Sequence, residues 1–147
     1  MNTYRSALAL VGTSVPDHLV ADAEVPVLTG PQAQGDLLVF RRAAPITAHW
    51  RPLPPEGLRL VDGEATGNTH WLHAGFGSPD VLWAESTAGP PRLGFLRVPP
   101  GQTALLIHTD EHGANGIGPG VYAIHRKREL VRQSSPADVP LTRLVAD

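Results

Sequence analysis

The sequence predicts a mainly β domain, an antiparallel sandwich or small barrel of about seven short strands with little helix. Three observations predict it. Fifteen glycines and fifteen prolines break the 147-residue chain into short segments. Those segments are rich in Val, Leu, Ile and aromatics, and most run for about four to eight residues, a strand length rather than a helix length. No stretch between them is long enough for the crossover helices that a parallel sheet requires.

The clearest strands are Asp36–Arg42, Gly57–Val61, Thr69–His73, Val81–Glu85, Leu93–Val98, Thr103–Thr109 and Gly120–Arg128. Pro99-Pro100-Gly101-Gln102 has the residues of a tight connection between two of them. Helix is expected only as a short turn at Pro16–Ala23, capped by Ser14, and at Arg128–Gln133. Pro45, Pro52, Pro54 and Pro55 make 42–56 a long surface loop or irregular edge, with Trp50 anchored on the core. Three regions follow. Residues 1–34 are an extended or irregular segment packed on the core, 35–131 are the β-rich core domain, and 132–147 are an extended C-terminal tail.

Composition narrows the function classes. Apolar content is 41% and charged content is 18%, which suits a globular domain. Cysteine is absent, so disulfides, thiolate zinc sites, iron–sulfur clusters and thiol nucleophiles are excluded. No apolar run approaches the ~20 residues of a membrane span. The run Ala7-Leu8-Ala9-Leu10-Val11 is shorter than the apolar region of a signal peptide. The expected location is cytoplasmic. The net charge of −2 provides no general attraction for nucleic acid. Arg126-Lys127-Arg128 is locally basic, but Glu129 offsets it, and alternation puts only Tyr122 on the arginine face as a base-stacking surface. An edge strand guarded by charge is the expected reading. No G-x-S-x-G, G-x-G-x-x-G or phosphate loop occurs.

Histidines carry the remaining chemical signal. Gly63-Glu64-Ala65-Thr66-Gly67-Asn68-Thr69-His70-Trp71-Leu72-His73 is a glycine-bracketed turn running into a strand. In a regular strand His70 and His73 face opposite ways, so only a bulge aims both at one ion. Glu64 with His70 is the ligand pair this segment offers. The second cluster is His108-Thr109-Asp110-Glu111-His112. It matches H-x-x-E-H, a zinc-protease motif that needs a helix, whereas the residues before it read as a strand and those after it are glycine-rich. Fully extended, His108 and His112 would lie ~13 Å apart, so a shared ion needs a sharp turn between them. Both clusters equally fit polar turns whose groups satisfy local backbone. If the two turns meet at one end of a sandwich, His70, His108 and His112 with Glu64 or Glu111 form a ligand set for Zn, Fe, Mn or Ni. His18 and His49 fall in loops, and His125 falls in the last strand as a core or edge residue.

A β-barrel with such ligands resembles a cupin. The cupin motif has a glycine and then a His-x-His pair, and here Asn68 stands at the first histidine of Asn68-Thr69-His70. The chain is also similar to a small uncharacterised family of bacterial β-proteins. Its pattern is a Gln-Gly-Asp strand start, Gly-Glu-x-Thr-Gly-His-x-His, His-x-x-Glu-His, a Pro-Gly-x-Tyr strand and an Arg-Glu pair. The matching residues are Gln34-Gly35-Asp36, Gly63 to His70, His108 to His112, Pro119 to Tyr122, and Arg128-Glu129. That resemblance implies a β-rich unit over about 34–130 and supplies no activity.

No complete catalytic constellation is visible. The first expectation is therefore a non-catalytic binding or assembly module that docks to a protein partner or self-associates as a homo-oligomer. The alternative is a metal-binding, cupin-like β-domain using the histidines at the two strand–turn junctions. A catalytic metal there would activate a bound water or polarise a substrate oxygen.

Overall fold

The computed structural model describes residues 2–62, 69–89, 91–108 and 113–127. These form one short helix, α1 (Tyr4–Ala9), and eleven strands. The strands are β1 (Val27–Leu28), β2 (Gln32–Gln34), β3 (Leu37–Arg41), β4 (Arg51–Pro52), β5 (Leu58–Asp62), β6 (Thr69–Ala74), β7 (Leu82–Glu85), β8 (Arg92–Val98), β9 (Ala104–His108), β10 (Ala114–Ile117) and β11 (Gly120–Arg126). All seven expected strands are present. The four others are short or glycine-containing: β1, β2, β4 and β10. No helix among the described residues is long and apolar enough to cross a membrane.

The strands form two sheets ordered β1-β10-β9-β6-β5 and β2-β3-β11-β8-β7-β4. Neither closes on itself, so the architecture is a sandwich and not a barrel. Pairing is antiparallel except between β1 and β10, which run parallel after a long excursion of the chain. The main core lies between the sheets. Leu72, Ala104, Leu106 and Ile117 from the first meet Leu37, Val39, Leu96, Val98, Tyr122 and Ile124 from the second. The turn at Pro99–Gln102 carries the chain from β8 in one sheet to β9 in the other, closed by Gln102 N–H donating to the Pro99 carbonyl.

The outer faces are covered as well. On the first sheet, α1 buries Ala7 and Leu8 against Leu105, Ile107 and Ala114. The helix starts at a capping box in which Thr3 accepts from the Ser6 backbone and the Ser6 hydroxyl accepts from the Thr3 backbone. The apolar run after Arg5 is thus a core-packing helix. The helix expected at Pro16–Ala23 is instead a pair of turns, closed by Leu19 N–H on the Pro16 carbonyl and Ala23 N–H on the Val20 carbonyl. The N-terminal segment therefore contributes a helix, an edge strand to the first sheet and an edge strand to the second. On the second sheet, the 42–50 loop lays Ala44, Ala48 and Trp50 over Ala84, Phe95 and Ala123. Trp50 is anchored as expected, with the Arg97 guanidinium 4.4 Å from its ring centroid. The segments 128–133 and 132–147 lie outside the described residues.

Before β5 the chain turns through Gly57 at φ 88°, directly against the buried His73 imidazole. A Cβ at Gly57 would overlap that ring, and the positive φ disfavours any L side chain. Gly57→Ala is expected to cost about 2–4 kcal/mol from backbone strain plus overpacking. Urea unfolding measures it, and adding His73→Ala should recover only the steric part.

Candidate functional site

β6 and β9 pair in the register His70↔His108, Leu72↔Leu106, Ala74↔Ala104. The start of β6 and the end of β9 therefore coincide. His70 and His108 are both buried, at 4% exposure each, and their ring centroids lie 4.4 Å apart. His73 is on the opposite face of β6, as alternation requires, so it does not join them. The helix that an H-x-x-E-H protease needs is not formed at His108, which is the last residue of β9.

The two-residue hairpin between β2 and β3 brings in a further residue. Gln34 pairs with Leu37 across Gly35-Asp36, and Gly35 takes the positive φ of 54° that a Gly-first hairpin turn uses. This aims the Gln34 side chain, 2% exposed, from the second sheet across to the first. Its amide nitrogen donates to the Leu106 carbonyl at 2.8 Å and to the Asn115 Oδ1 at 3.1 Å. Its Oε1 lies 3.1 Å from His70 Nδ1. The Asn115 amide then donates to Gln32 Oε1 at 3.1 Å, and Gln32 donates to the Gly116 carbonyl at 3.4 Å.

These bonds run in one direction, from His70 to Gln34, Asn115, Gln32 and the Gly116 carbonyl. Because the Gln34 NH₂ is committed to two acceptors, its oxygen must face the imidazole. An amide oxygen only accepts, so His70 Nδ1 carries a proton, which in the neutral ring leaves the lone pair on Nε2. The amide relay thereby sets the His70 tautomer and polarises the ring towards a stronger donor at Nε2.

Of the residues singled out from sequence, the fold brings His70 and His108 together. Glu64, Glu111 and His112 lie outside the described residues, as does Asn68. Among the described residues, no third His, Asp or Glu completes a metal-sized cluster with the pair. His18 and His49 are exposed in loops. Sequence reasoning did not identify Gln34, Asn115 and Gln32 as parts of this site. The signal for Gln34 was its place before Gly35-Asp36, which makes it the last residue ahead of a tight hairpin.

His125 forms a separate polar centre on the outer face of the second sheet. It is 8% exposed and meets Phe40 edge-on at 4.9 Å between ring centroids. Arg92 Nε donates to its Nε2 at 3.1 Å. Arginine cannot accept, so that nitrogen holds the lone pair and the ring is neutral. Burial, then the Arg92 and Arg42 charges, push His125 down to about 4. Tyr122 is fully buried, with its hydroxyl donating to the Gly118 carbonyl, so it provides no base-stacking surface beside Arg126.

These features define a two-sheet β-sandwich domain with a histidine–amide network at one end of its interior. The chain belongs to DUF8820, a domain of unknown function, whose family model matches residues 33–127. That interval begins in β2 and contains Gln34, His70, His108 and Asn115, while α1 and β1 precede it. No curated protein and no solved structure matches the chain.

The depressed His125 makes stability pH-dependent. Unfolded histidine titrates near 6.5. As pH falls through that value the unfolded chain gains a proton that folded His125 refuses, so stability is lost down to about pH 4. His125→Gln keeps an acceptor for Arg92 and removes the titration. The variant is expected to lose less stability than the parent between pH 7.5 and 5, measured as the shift in urea midpoint at each pH.

Proposed function

We propose that this domain binds a divalent transition-metal ion at the His70–His108 end of the sandwich. The observation that carries the reading is the fixed His70 tautomer. A metal-ligating histidine characteristically donates its other ring N–H to an oxygen acceptor, which orients the ring and raises its basicity. Gln34 has that relation to His70, and Gln34 is itself held by two further bonds. The adjacent His108 ring supports the reading because the ligand nitrogens of a tetrahedral ion sit roughly 3.3 Å apart, within reach of rings this close. His112, Glu64 and Glu111 are the candidates from sequence to complete the set. Imidazoles with a carboxylate, and no thiolate, suit Zn, Fe, Mn or Ni.

The test uses tag-free full chain purified without chelator, then incubated with each metal and desalted. Elemental mass spectrometry is expected to find close to one ion per chain, lost in His70→Ala/His108→Ala. Gln34→Leu is expected to weaken binding about 10–100-fold while leaving both imidazoles. A parent protein that takes up none of the four metals would sink the reading. Separate His112→Ala, Glu64→Gln and Glu111→Gln variants identify the remaining ligands.

Self-association is a second reading, supported by β1. This edge strand leaves Val27 and Leu28 at 48% and 46% exposure, with no charged residue within the strand to guard it. A dimer pairing through β1 is expected to dissociate on Val27→Lys. Light scattering across a concentration series reads this, and a parent that stays monomeric at every concentration excludes it.

A further inference from the structure

Residues 53–57 form a strap across one open side of the sandwich. β4 is the outermost strand of the second sheet on that side, β5 is the outermost strand of the first, and the strap joins them. Pro54 and Pro55 limit how it can bend. The Gly57 N–H closes it on the Pro54 carbonyl, and Gly57, at φ 88°, is its hinge. Leu53 at its start and Leu58 just beyond its end pack on the main core.

A side chain of β6 holds the strap at that hinge. His73 is 3% exposed, and its ring abuts Gly57, with Nε2 the nearest atom to where a Cβ would stand. This Nε2 is closed off from solvent and has no hydrogen-bond partner among the described residues. The ring donates to the Glu56 carbonyl. Since Nε2 has no partner, Nδ1 is the donor and Nε2 keeps the lone pair. A lone pair packs against a glycine backbone at modest cost. A charged N–H in the same place, with neither water nor an acceptor, does not. A second proton on His73 therefore requires Gly57 to move away from Nε2.

The charges around the ring do not remove that requirement. From the strap, Glu56 favours the protonated ring, but burial outweighs it and holds His73 below the ordinary histidine range. On β5, Arg59 lies 5.0 Å from the Trp71 ring centroid, and Asp62 is in register with Thr69 at the far end of β6. On β9 the residue opposite His73 is Leu105, and His108 is on the inner face with His70. α1, which covers Leu105, carries Tyr4 and Arg5, the latter paired with Asp22.

We propose that the 53–57 strap is an acid-released latch, pinned by neutral His73 and opened when that imidazole takes up a second proton. Opening frees the β5 edge of the first sheet and uncovers Leu53 and Leu58. The latch is independent of the metal reading, because His73 lies on the face of β6 opposite His70. In the open strap His73 titrates near 6.5, and in the closed strap it titrates lower. Closure thus has its full advantage above that pH. As pH falls below 6.5 the advantage shrinks by up to about tenfold per unit, until the closed-state value is reached.

Amide hydrogen exchange, read by two-dimensional NMR on the chelator-treated full chain from pH 7.5 to 5 and corrected for intrinsic rates, measures the opening. The control amides are Gly116 and Gly118, which bond to β1 at the other edge of the same sheet. Relative to them, protection of Gly57 and of the β5–β6 ladder is expected to fall about three- to tenfold per pH unit below 6.5. His73→Gln keeps a donor for the Glu56 carbonyl and cannot titrate, so its relative protection should not change with pH. Side-chain NMR of the parent needs no variant to fold, and is expected to show His73 protonated at Nδ1 and titrating below 6.5. A pH-independent ratio in the parent would overturn the proposal. So would the same slope in His73→Gln, or a His73 that titrates at 6.5 or above.

Discussion

β9 is buried on both faces along its whole length, and the rest of the molecule is arranged around that requirement. Leu106 and Ala104 face the second sheet, while Leu105 and Ile107 face α1. A strand covered twice is a near-continuous apolar run, and Ala104-Leu105-Leu106-Ile107 is one. It needs a layer on each side, which is why the N-terminal segment must fold back as a helix instead of lying extended. It also needs neighbours in register. A one-residue slip of β6 would swap Leu72 for Trp71 on the inner face and separate His70 from His108.

The run ends in a residue that breaks the pattern. His108 occupies an inner-face position where an apolar side chain would extend the core. Across from it is another histidine, and a buried polar group costs about 1–3 kcal/mol when left unsatisfied. The Gln34–Asn115–Gln32 relay answers part of that cost by linking β2 of one sheet to β6, β9 and β10 of the other. Apolar residues at these positions would fill the same volume with no such linkage to arrange. A connected polar network at the end of an otherwise apolar sandwich specifies the relative placement of the two sheets and the tautomer of His70 together.

Much of the fold was legible because seven strands have strand length and strand composition, bounded by glycine and proline. The missing elements were too small or atypical for that signal. β1 and β4 are two residues long, and β2 is three, so periodicity has nothing to act on. β10 contains Gly116, which lacks a side chain because a Cβ there would meet the Pro26 carbonyl and Val27 of β1. A glycine demanded by close strand approach reads, in sequence, as a loop. α1 was hidden by its cap, where Ser6 takes the place of the usual Glu or Gln. For the site, the sequence singled out His70 and His108 as residues but could not show that they meet. Their adjacency is a property of the β6–β9 register, a pairing of residues far apart in the chain. The Arg92–His125 contact was equally hidden, because the register shift between Ile124 and His125 sets it.

The two polar centres share one structural support. In β3, Leu37 pairs with Gln34, and the next residue, Leu38, pairs with both Ala33 and His125. Successive strand residues face opposite sides, so the β2–β3 hairpin and β11 aim Gln34 inward and His125 outward from almost the same level of the second sheet. Both histidines are then fixed by a partner of known polarity: an amide oxygen makes His70 Nδ1 a hydrogen-bond donor, and a guanidinium makes His125 Nε2 a hydrogen-bond acceptor. In each case a hydrogen bond from paired strands sets which ring nitrogen donates or accepts. A group oriented by paired strands, instead of by a loop, loses little freedom on binding, and that is the condition under which a small number of contacts gives useful affinity. Such preorganisation on the two faces of one sheet is built by the fold itself. It lies in short hairpin geometry and strand register, not in any contiguous motif.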